Sequence, residues 1–247
     1  MTSKSELIDR RVIALKRKRR QPQKSSLFKL YEQAAEDVKQ RLFDAKANPK
    51  KIAIVSGFPD VWQELFPTAE LISDTEILNF STSNYDLIVH GLCLQLSNDP
   101  LGQIIQCRRA CKPEGLFIAV SFGARTLQEL RTALIHSEIA IKGGSSPRVI
   151  PMGDLMDLGN LTVRSNLTHL VSDRLEVKLS FKSLFEIMHH LRNMGDTNCL
   201  SARQSQFTPK ILFTRANQYY MKHFTCPDGN VFATFELIFI TGWAPTK

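Results

Sequence analysis

The residues best placed to do chemistry follow two apolar runs in the middle of the chain. Asp86-Leu87-Ile88-Val89 is typical of a strand buried on both faces, and Leu116–Val120 is a second such run. A helix beginning at Asp99-Pro100 connects them, so the pattern predicts a βαβ unit and a parallel sheet. Because ligands bind beyond the carboxyl ends of such strands, we expect the site at His90–Gln95 and Ser121–Arg125.

Several classes of site are not indicated by the sequence. No Ser/His/Asp triad, Walker loop or metal-ligand cluster stands out. Cys107 and Cys111 lie one helical turn apart without further ligands nearby, and the adjacent His189 and His190 point in different directions on a helix. Five cysteines without framework spacing indicate free thiols in a reducing compartment.

The net charge of +8 is concentrated at the start of the chain. Residues 1–30 hold ten of the 32 basic groups and two of the 24 acidic ones, so the remaining residues carry 22 of each. We therefore expect a basic N-terminal arm over residues 1–24, which could be a solvated segment that orders only partly, and a domain over 25–247. The arm could bind an acidic partner, a membrane surface or RNA. The neutral remainder argues against a nucleic-acid-binding domain.

Apolar periodicity predicts the other elements. A helix is expected over Ser25–Ala47, a first strand over Lys51–Val55, and a weak strand over Ala69–Ser73. Helices are expected at 126–141 and 154–164, and a charged edge strand at 169–179. Helices at 181–194 and 209–224 would form a cap or insertion, followed by a last strand at 232–243. No apolar run approaches the ~20 residues of a membrane span.

Longer motifs resemble a known family. The strand Asp86–Val89, the turn Lys112-Pro113-Glu114-Gly115 and the segment Thr126–Arg131 resemble class I S-adenosylmethionine (SAM) methyltransferases. The signatures Gly143–Arg148, Leu191–Asn198 and Pro227–Gly229 are similar to the branch of that superfamily associated with assembly of respiratory complex I. The resemblance covers residues 85–245 well and residues 1–84 poorly.

The resemblance implies a Rossmann-like α/β sheet of seven strands, with SAM as the cofactor and a protein substrate, such as a complex I subunit, as the partner. One branch member is linked to arginine hydroxylation rather than methyl transfer. The branch occurs in mitochondria and in alphaproteobacteria, so the resemblance implies a cytoplasmic location, or the mitochondrial matrix in a eukaryote. The resemblance places SAM over a set of strand-end residues and the substrate against a second set. The first set is Ser56, Gly57, Asp74, Thr75, His90 and Gly91; the second is Gln95, Arg125 and Arg148. Alternatively, Asp74 is a solvent-exposed loop residue, and the arginines form structural ion pairs.

Two features depart from the family pattern. The family's Gly-x-Gly turn after the first strand is here Ser56-Gly57-Phe58-Pro59, in which Phe58 is bulky and Pro59 lacks an N–H. Only 34 positions separate Ile52 from Asp86, which suits one βαβ unit of ~30 residues rather than two. The sheet should therefore be shortened near its second strand, and Asp74 then follows either the second or the third strand of the family.

The sequence thus supports two functions. The first is a SAM-dependent enzyme, a methyltransferase or a hydroxylase of that fold, acting on a protein in complex I assembly. The second is a non-catalytic assembly or binding protein that keeps the fold and has lost SAM.

Overall fold

The computed structural model describes residues 6–204 and 206–246. The first five residues of the predicted basic arm lie outside the described residues. Over the described ranges the chain forms eight α-helices and six strands. The helices are α1 (Arg10–Arg19), α2 (Phe28–Asp44), α3 (Pro59–Leu65), α4 (Pro100–Ala110), α5 (Gln128–Lys142), α6 (Leu155–Arg164), α7 (Leu184–Met194) and α8 (Lys210–His223). The strands are β1 (Ile52–Ser56), β2 (Glu70–Ile72), β3 (Tyr85–Gly91), β4 (Cys111–Phe122), β5 (Thr168–Phe181) and β6 (Val231–Trp243).

The strands form one sheet in the order β2-β1-β3-β4-β6-β5. Strands β1 to β4 pair in parallel, and β6 pairs with β4 in the antiparallel sense. This confirms the predicted Rossmann-like α/β class with an antiparallel C-terminal strand. The described sheet has six strands rather than the seven that the resemblance implies, because only β2 lies between β1 and β3 along the chain.

The described residues divide into two compact units. The sheet unit comprises those within 29–123, 152–175 and 236–247, and holds β1–β4, α3, α4 and α6. The helical unit comprises those within 1–28, 124–151 and 176–235, and holds α1, α5, α7 and α8. Strands β5 and β6 contribute residues to both units.

Hydrophobic burial and local caps explain the sheet unit. Ile54, Val89 and Val120 are fully buried on the central strands, as their continuous apolar runs predict. The Asp86 carboxylate accepts hydrogen bonds from the backbone N–H groups of Lys50 (2.8 Å) and Lys51 (2.7 Å), which ties the start of β3 to the start of β1. Asp99 caps α4 by accepting from the Gly102 N–H at 2.9 Å.

The helical unit includes residues 6–24 of the predicted basic arm, and most of them form helix α1. Helix α1 begins after Asp9, whose side chain accepts from the N–H groups of Arg11 and Val12. Ile8 forms an antiparallel bridge with Leu200. Within residues 6–24, the described part of the arm, Arg10–Arg19 is therefore helical, and Asp9 caps its start.

Candidate functional site

The turn after β1 lies where a Rossmann-like sheet normally receives its ligand. Phe58 is 5% exposed, and its N–H donates to the Ser56 hydroxyl at 3.0 Å. Pro59 opens α3 and has no N–H to offer. Two consecutive backbone positions of this turn therefore have no N–H to present to a ligand carboxylate.

Aromatic side chains fill the space above this turn. The Tyr31 ring, carried by α2, lies 4.3 Å from the Phe58 ring and 5.9 Å from the Phe122 ring, between ring centroids. Phe122 ends β4, so the contacts join the carboxyl ends of β1 and β4. All three side chains are at least nine-tenths buried.

A fourth aromatic side chain covers the end of β3. Trp62 of α3 is fully buried, and a Cβ atom built on Gly91 would lie 2.3 Å from its Cζ2 atom. Only a glycine permits so close an approach of the ring to the strand. The buried Trp62 Nε1 has no hydrogen-bond partner among the described residues. We call Tyr31, Phe58, Trp62 and Phe122 the strand-end aromatics.

His90 lies within a buried polar chain. Gln103 donates through Nε2 to the Thr75 carbonyl (2.8 Å), so its Oε1 faces His90 Nε2 as an acceptor at 2.9 Å. This arrangement assigns the proton of the imidazole to Nε2 and leaves Nδ1 as an acceptor, 3.5 Å from the Cys93 sulfur. His90 is 0% exposed, and both of its ring nitrogens face protein side chains.

Asp74 is buried at 3% exposure, so its predicted alternative as a solvent-exposed loop residue is wrong. The loop that follows it is held against α4, because Gln103 and Gln106 donate to the carbonyls of Thr75 and Glu76. Strand β2 pairs directly with β1, the place of the second strand in a Rossmann order. This pairing favours the alignment in which Asp74 follows the family's second strand.

The three predicted substrate-side residues all make internal contacts. Gln95 donates to the Leu92 carbonyl (3.0 Å) and accepts from Ser121 (3.1 Å). Arg125 forms an ion pair with Glu176 at 3.0 Å. Arg148 donates to both carboxylate oxygens of Glu138, at 2.8 and 3.1 Å.

The ion pair of Arg148 belongs to a cluster of hydrogen bonds in the helical unit, in which Arg148, Lys142 and Ser146 all donate to Glu138. We call this cluster the latch. Glu138 is 1% exposed, and it also accepts from Lys142 and from the backbone and hydroxyl of Ser146. Burial alone would raise the pKa of Glu138, but these hydrogen bonds outweigh it and lower the pKa to about 2. The signature Gly143–Arg148 is therefore held in place by a buried carboxylate.

Other classes of site are not supported. No group of three or more His, Cys, Asp or Glu side chains within residues 6–204 and 206–246 could hold a metal ion. A groove of about 590 Å³ lies at the amino end of β4, lined by Glu114, Thr168, His169, Trp243 and residues 244–246. It contains none of the predicted site residues. No helix in the described part of the chain is both long and apolar enough to cross a membrane.

The described residues do not fit SAM. A methionine moiety needs open backbone after β1, where Phe58 and Tyr31 pack together. The end of β3 is covered by Trp62. The sequence identified Phe58 as a bulky residue in the ligand turn, but it did not identify Tyr31, Trp62 and Phe122 as its neighbours at the strand ends. The one available signal was a second large aromatic, Trp62, one helical turn after Phe58.

Comparisons with known proteins identify relatives. The chain is 33% identical over 177 residues to the human mitochondrial arginine-hydroxylase NDUFAF5, covering 72% of this chain and 51% of that protein. The Dictyostelium discoideum protein of the same name is 34% identical, with 72% and 42% covered. A malonyl-[acyl-carrier protein] O-methyltransferase of Xylella fastidiosa is 28% identical, with 73% and 59% covered. The chain thus spans about half the length of the curated relatives it matches.

Solved structures agree on the fold. The YcgJ protein of Bacillus subtilis matches with a TM-score of 0.53 at 11% identity, covering 86% of this chain and 99% of that one. A candidate methyltransferase of Bacillus halodurans C-125 matches with a TM-score of 0.51 at 12% identity, covering 84% and 98%. No family model matches the chain.

Proposed function

We propose that this chain, which belongs to the class I methyltransferase superfamily, is a non-catalytic assembly protein that acts by binding a protein partner in the biogenesis of respiratory complex I. The observation that carries the proposal is the set of strand-end aromatics, which pack at the strand ends where sheets of this class receive a ligand. The similarity to proteins named NDUFAF5, together with the signatures of the complex I assembly branch, supports complex I biogenesis as the process in which the chain acts.

SAM could enter only if buried aromatic side chains left their places. Trp62 and Phe58 are 0% and 5% exposed, so each is held by close packing on several sides. Truncating one buried aromatic side chain typically costs about 3–5 kcal/mol, and expelling two of them to admit a ligand would cost on that order for each. SAM binding would have to supply this free energy in addition to its own.

A second candidate function is favoured by one observation. Asp74 is buried directly after β2, where the family alignment places the acid that holds the ribose hydroxyls. If the aromatics move aside, Asp74 would hold the ribose and the chain would act as a SAM-dependent methyltransferase or as a hydroxylase of the same fold. In that case the activity depends on the Asp74 carboxylate.

Genetic complementation tests the proposed function. The gene is deleted in the source organism, and assembled complex I is measured on native gels by its NADH dehydrogenase activity. We expect the deletion to reduce assembled complex I, and both the wild type and Asp74→Asn to restore it. The substitution keeps the shape of the side chain and removes its charge, and its thermal stability is measured alongside.

Two outcomes would overturn the proposal. Normal complex I in the deletion strain would exclude the assembly role. Failure of Asp74→Asn to complement, at wild-type stability and abundance, would favour the enzymatic candidate.

A further inference from the structure

The basic helix α1 is attached to other segments of the helical unit. Ile8 and Ile13 are buried at 0% and 5% exposure, and the Leu7 carbonyl accepts from the Ser201 N–H at 2.9 Å. Asp9 pairs with Arg203 at 3.0 Å. The segment leading into α1 is thus fixed against residues 200–203 of the helical unit, and the buried Ile13 places one side of the helix itself in the interior.

One lysine of α1 is used for this attachment. Lys16 donates through Nζ to the carbonyls of Thr197 (2.9 Å) and Asn198 (2.5 Å). Burial lowers the pKa of Lys16. Asn198 in turn donates to the Pro147 carbonyl at 2.9 Å, so the signatures at 143–148 and 191–198 are linked to α1.

The opposite side of α1 is exposed and basic. Arg11, Leu15, Lys18 and Arg19 are all exposed, Leu15 at 53%. Positions 11, 15 and 18 follow the i, i+4, i+7 spacing of one helix face, and Leu15 and Arg19 are also four apart. No acidic residue lies within α1, and the nearby Asp9 is engaged by Arg203. We call these four residues the basic face.

We propose that the basic face is a docking site for an acidic protein segment with an apolar residue between its carboxylates. Three cations around one exposed leucine complement such a segment in both charge and hydrophobicity. Because arginine is enriched at protein interfaces and charge complementarity sets specificity, this surface suits a protein partner. The inference rests on the proposed function as a protein-binding assembly factor and specifies the chemistry of its partner.

Two other polyanions fit the basic face less well. Single-stranded nucleic acid is bound largely by aromatic side chains on which bases stack, and residues 6–27 contain no aromatic residue. A helix that lies in a membrane interface inserts a broad apolar side into lipid, whereas the basic face offers only Leu15 and Ile13 of α1 is buried inside the protein. An acidic protein segment requires neither feature.

The test uses the full chain and synthetic probes. A fluorescent peptide of about four helical turns (~14 residues), alternating glutamate pairs with leucine, is titrated by anisotropy at several salt concentrations. Its control replaces every glutamate by glutamine. Vesicles containing phosphatidylserine and an oligouridine are measured in parallel.

Charge reversal locates the site. The triple variant Arg11→Glu, Lys18→Glu, Arg19→Glu is compared with Lys182→Glu, Arg215→Glu, Lys222→Glu, which makes the same charge change at exposed positions elsewhere in the helical unit. We expect the first variant to weaken peptide binding at least about tenfold and the second to weaken it by less than about threefold. We also expect the affinity to fall as salt rises.

Equal binding of the glutamine peptide, equal loss in both triple variants, or tighter binding of vesicles or oligouridine would overturn the inference. A negative result in these titrations would refute the docking site but not the proposed function, since SAM takes no part in them. Detection of SAM binding in a separate titration would refute the proposed function and would not bear on the basic face.

Discussion

Substitution of Gly91 by alanine tests whether Trp62 truly fills the end of β3. A strand glycine replaced by alanine normally gains ~0.5–1 kcal/mol from reduced chain entropy. Here the new Cβ would lie 2.3 Å from Cζ2 and 2.6 Å from Cε2 of Trp62, well inside the optimal carbon–carbon separation of ~3.5–4.0 Å. Because the ring is fully buried, it cannot swing into solvent to relieve the clash.

The expected cost of Gly91→Ala is therefore about 2–3 kcal/mol of unfolding free energy, the range of overpacked cores. Trp62→Leu removes the clashing atoms and by itself costs about 3 kcal/mol through the cavity it leaves. In the Trp62→Leu background, Gly91→Ala should cost less than about 1 kcal/mol. The two substitutions are thus coupled by about 2 kcal/mol.

Urea unfolding followed by far-ultraviolet circular dichroism measures all four proteins. Gly144→Ala is the matched control, since a Cβ at Gly144 meets nothing within 4 Å, and its effect should stay within about 0.5 kcal/mol. If Gly91→Ala costs the same with and without the Trp62 ring, the ring does not occupy the end of β3 and the account of the filled site is wrong.

Further predictions concern the latch at Glu138. Glu138→Gln should destabilise the protein by about 2–3 kcal/mol in urea unfolding, because it leaves Arg148 without its buried carboxylate, and hydrogen exchange at the Ser146 amide should accelerate. An unchanged stability would show that the latch is not formed. The wild type should also lose stability as pH falls from about 4.5 towards 2. Both Glu138 and Asp86 have pKa values lowered to about 2, so their stabilising contribution is present above the unfolded pKa and is lost on protonation of the folded state. Glu138 alone accounts for about 3 kcal/mol of this loss, and in Glu138→Gln the slope of stability against pH should be correspondingly shallower; equal slopes would contradict the assignment.

The sheet could be predicted because its signals are local. The continuous apolar runs of β1, β3 and β4 and the Asp99-Pro100 helix start are read within a few residues of themselves. The short spacing between Ile52 and Asp86 likewise predicted that the sheet would have one strand fewer than the family pattern in this region. Such features depend on composition and spacing alone.

The site could be predicted only in part, because it depends on contacts between distant residues. Phe58 is conspicuous in a turn that should hold glycine, but its partner Tyr31 comes from α2, 27 positions earlier. The loop after Asp74 is held by two glutamine side chains of α4, Gln103 and Gln106, which lie far along the chain from Thr75 and Glu76. The charge run of α1 gave no sign that Lys16 would donate to carbonyls at 197 and 198.

The central claim is that the strand-end aromatics exclude SAM. Calorimetric titration of the full chain with SAM and with S-adenosylhomocysteine tests it most directly, with a SAM-binding methyltransferase measured in the same buffer as the positive control. We expect no saturable heat and no thermal shift with either compound up to millimolar concentration. Saturable binding in the micromolar range, abolished by Asp74→Asn, would contradict it and would establish that the cofactor site is functional.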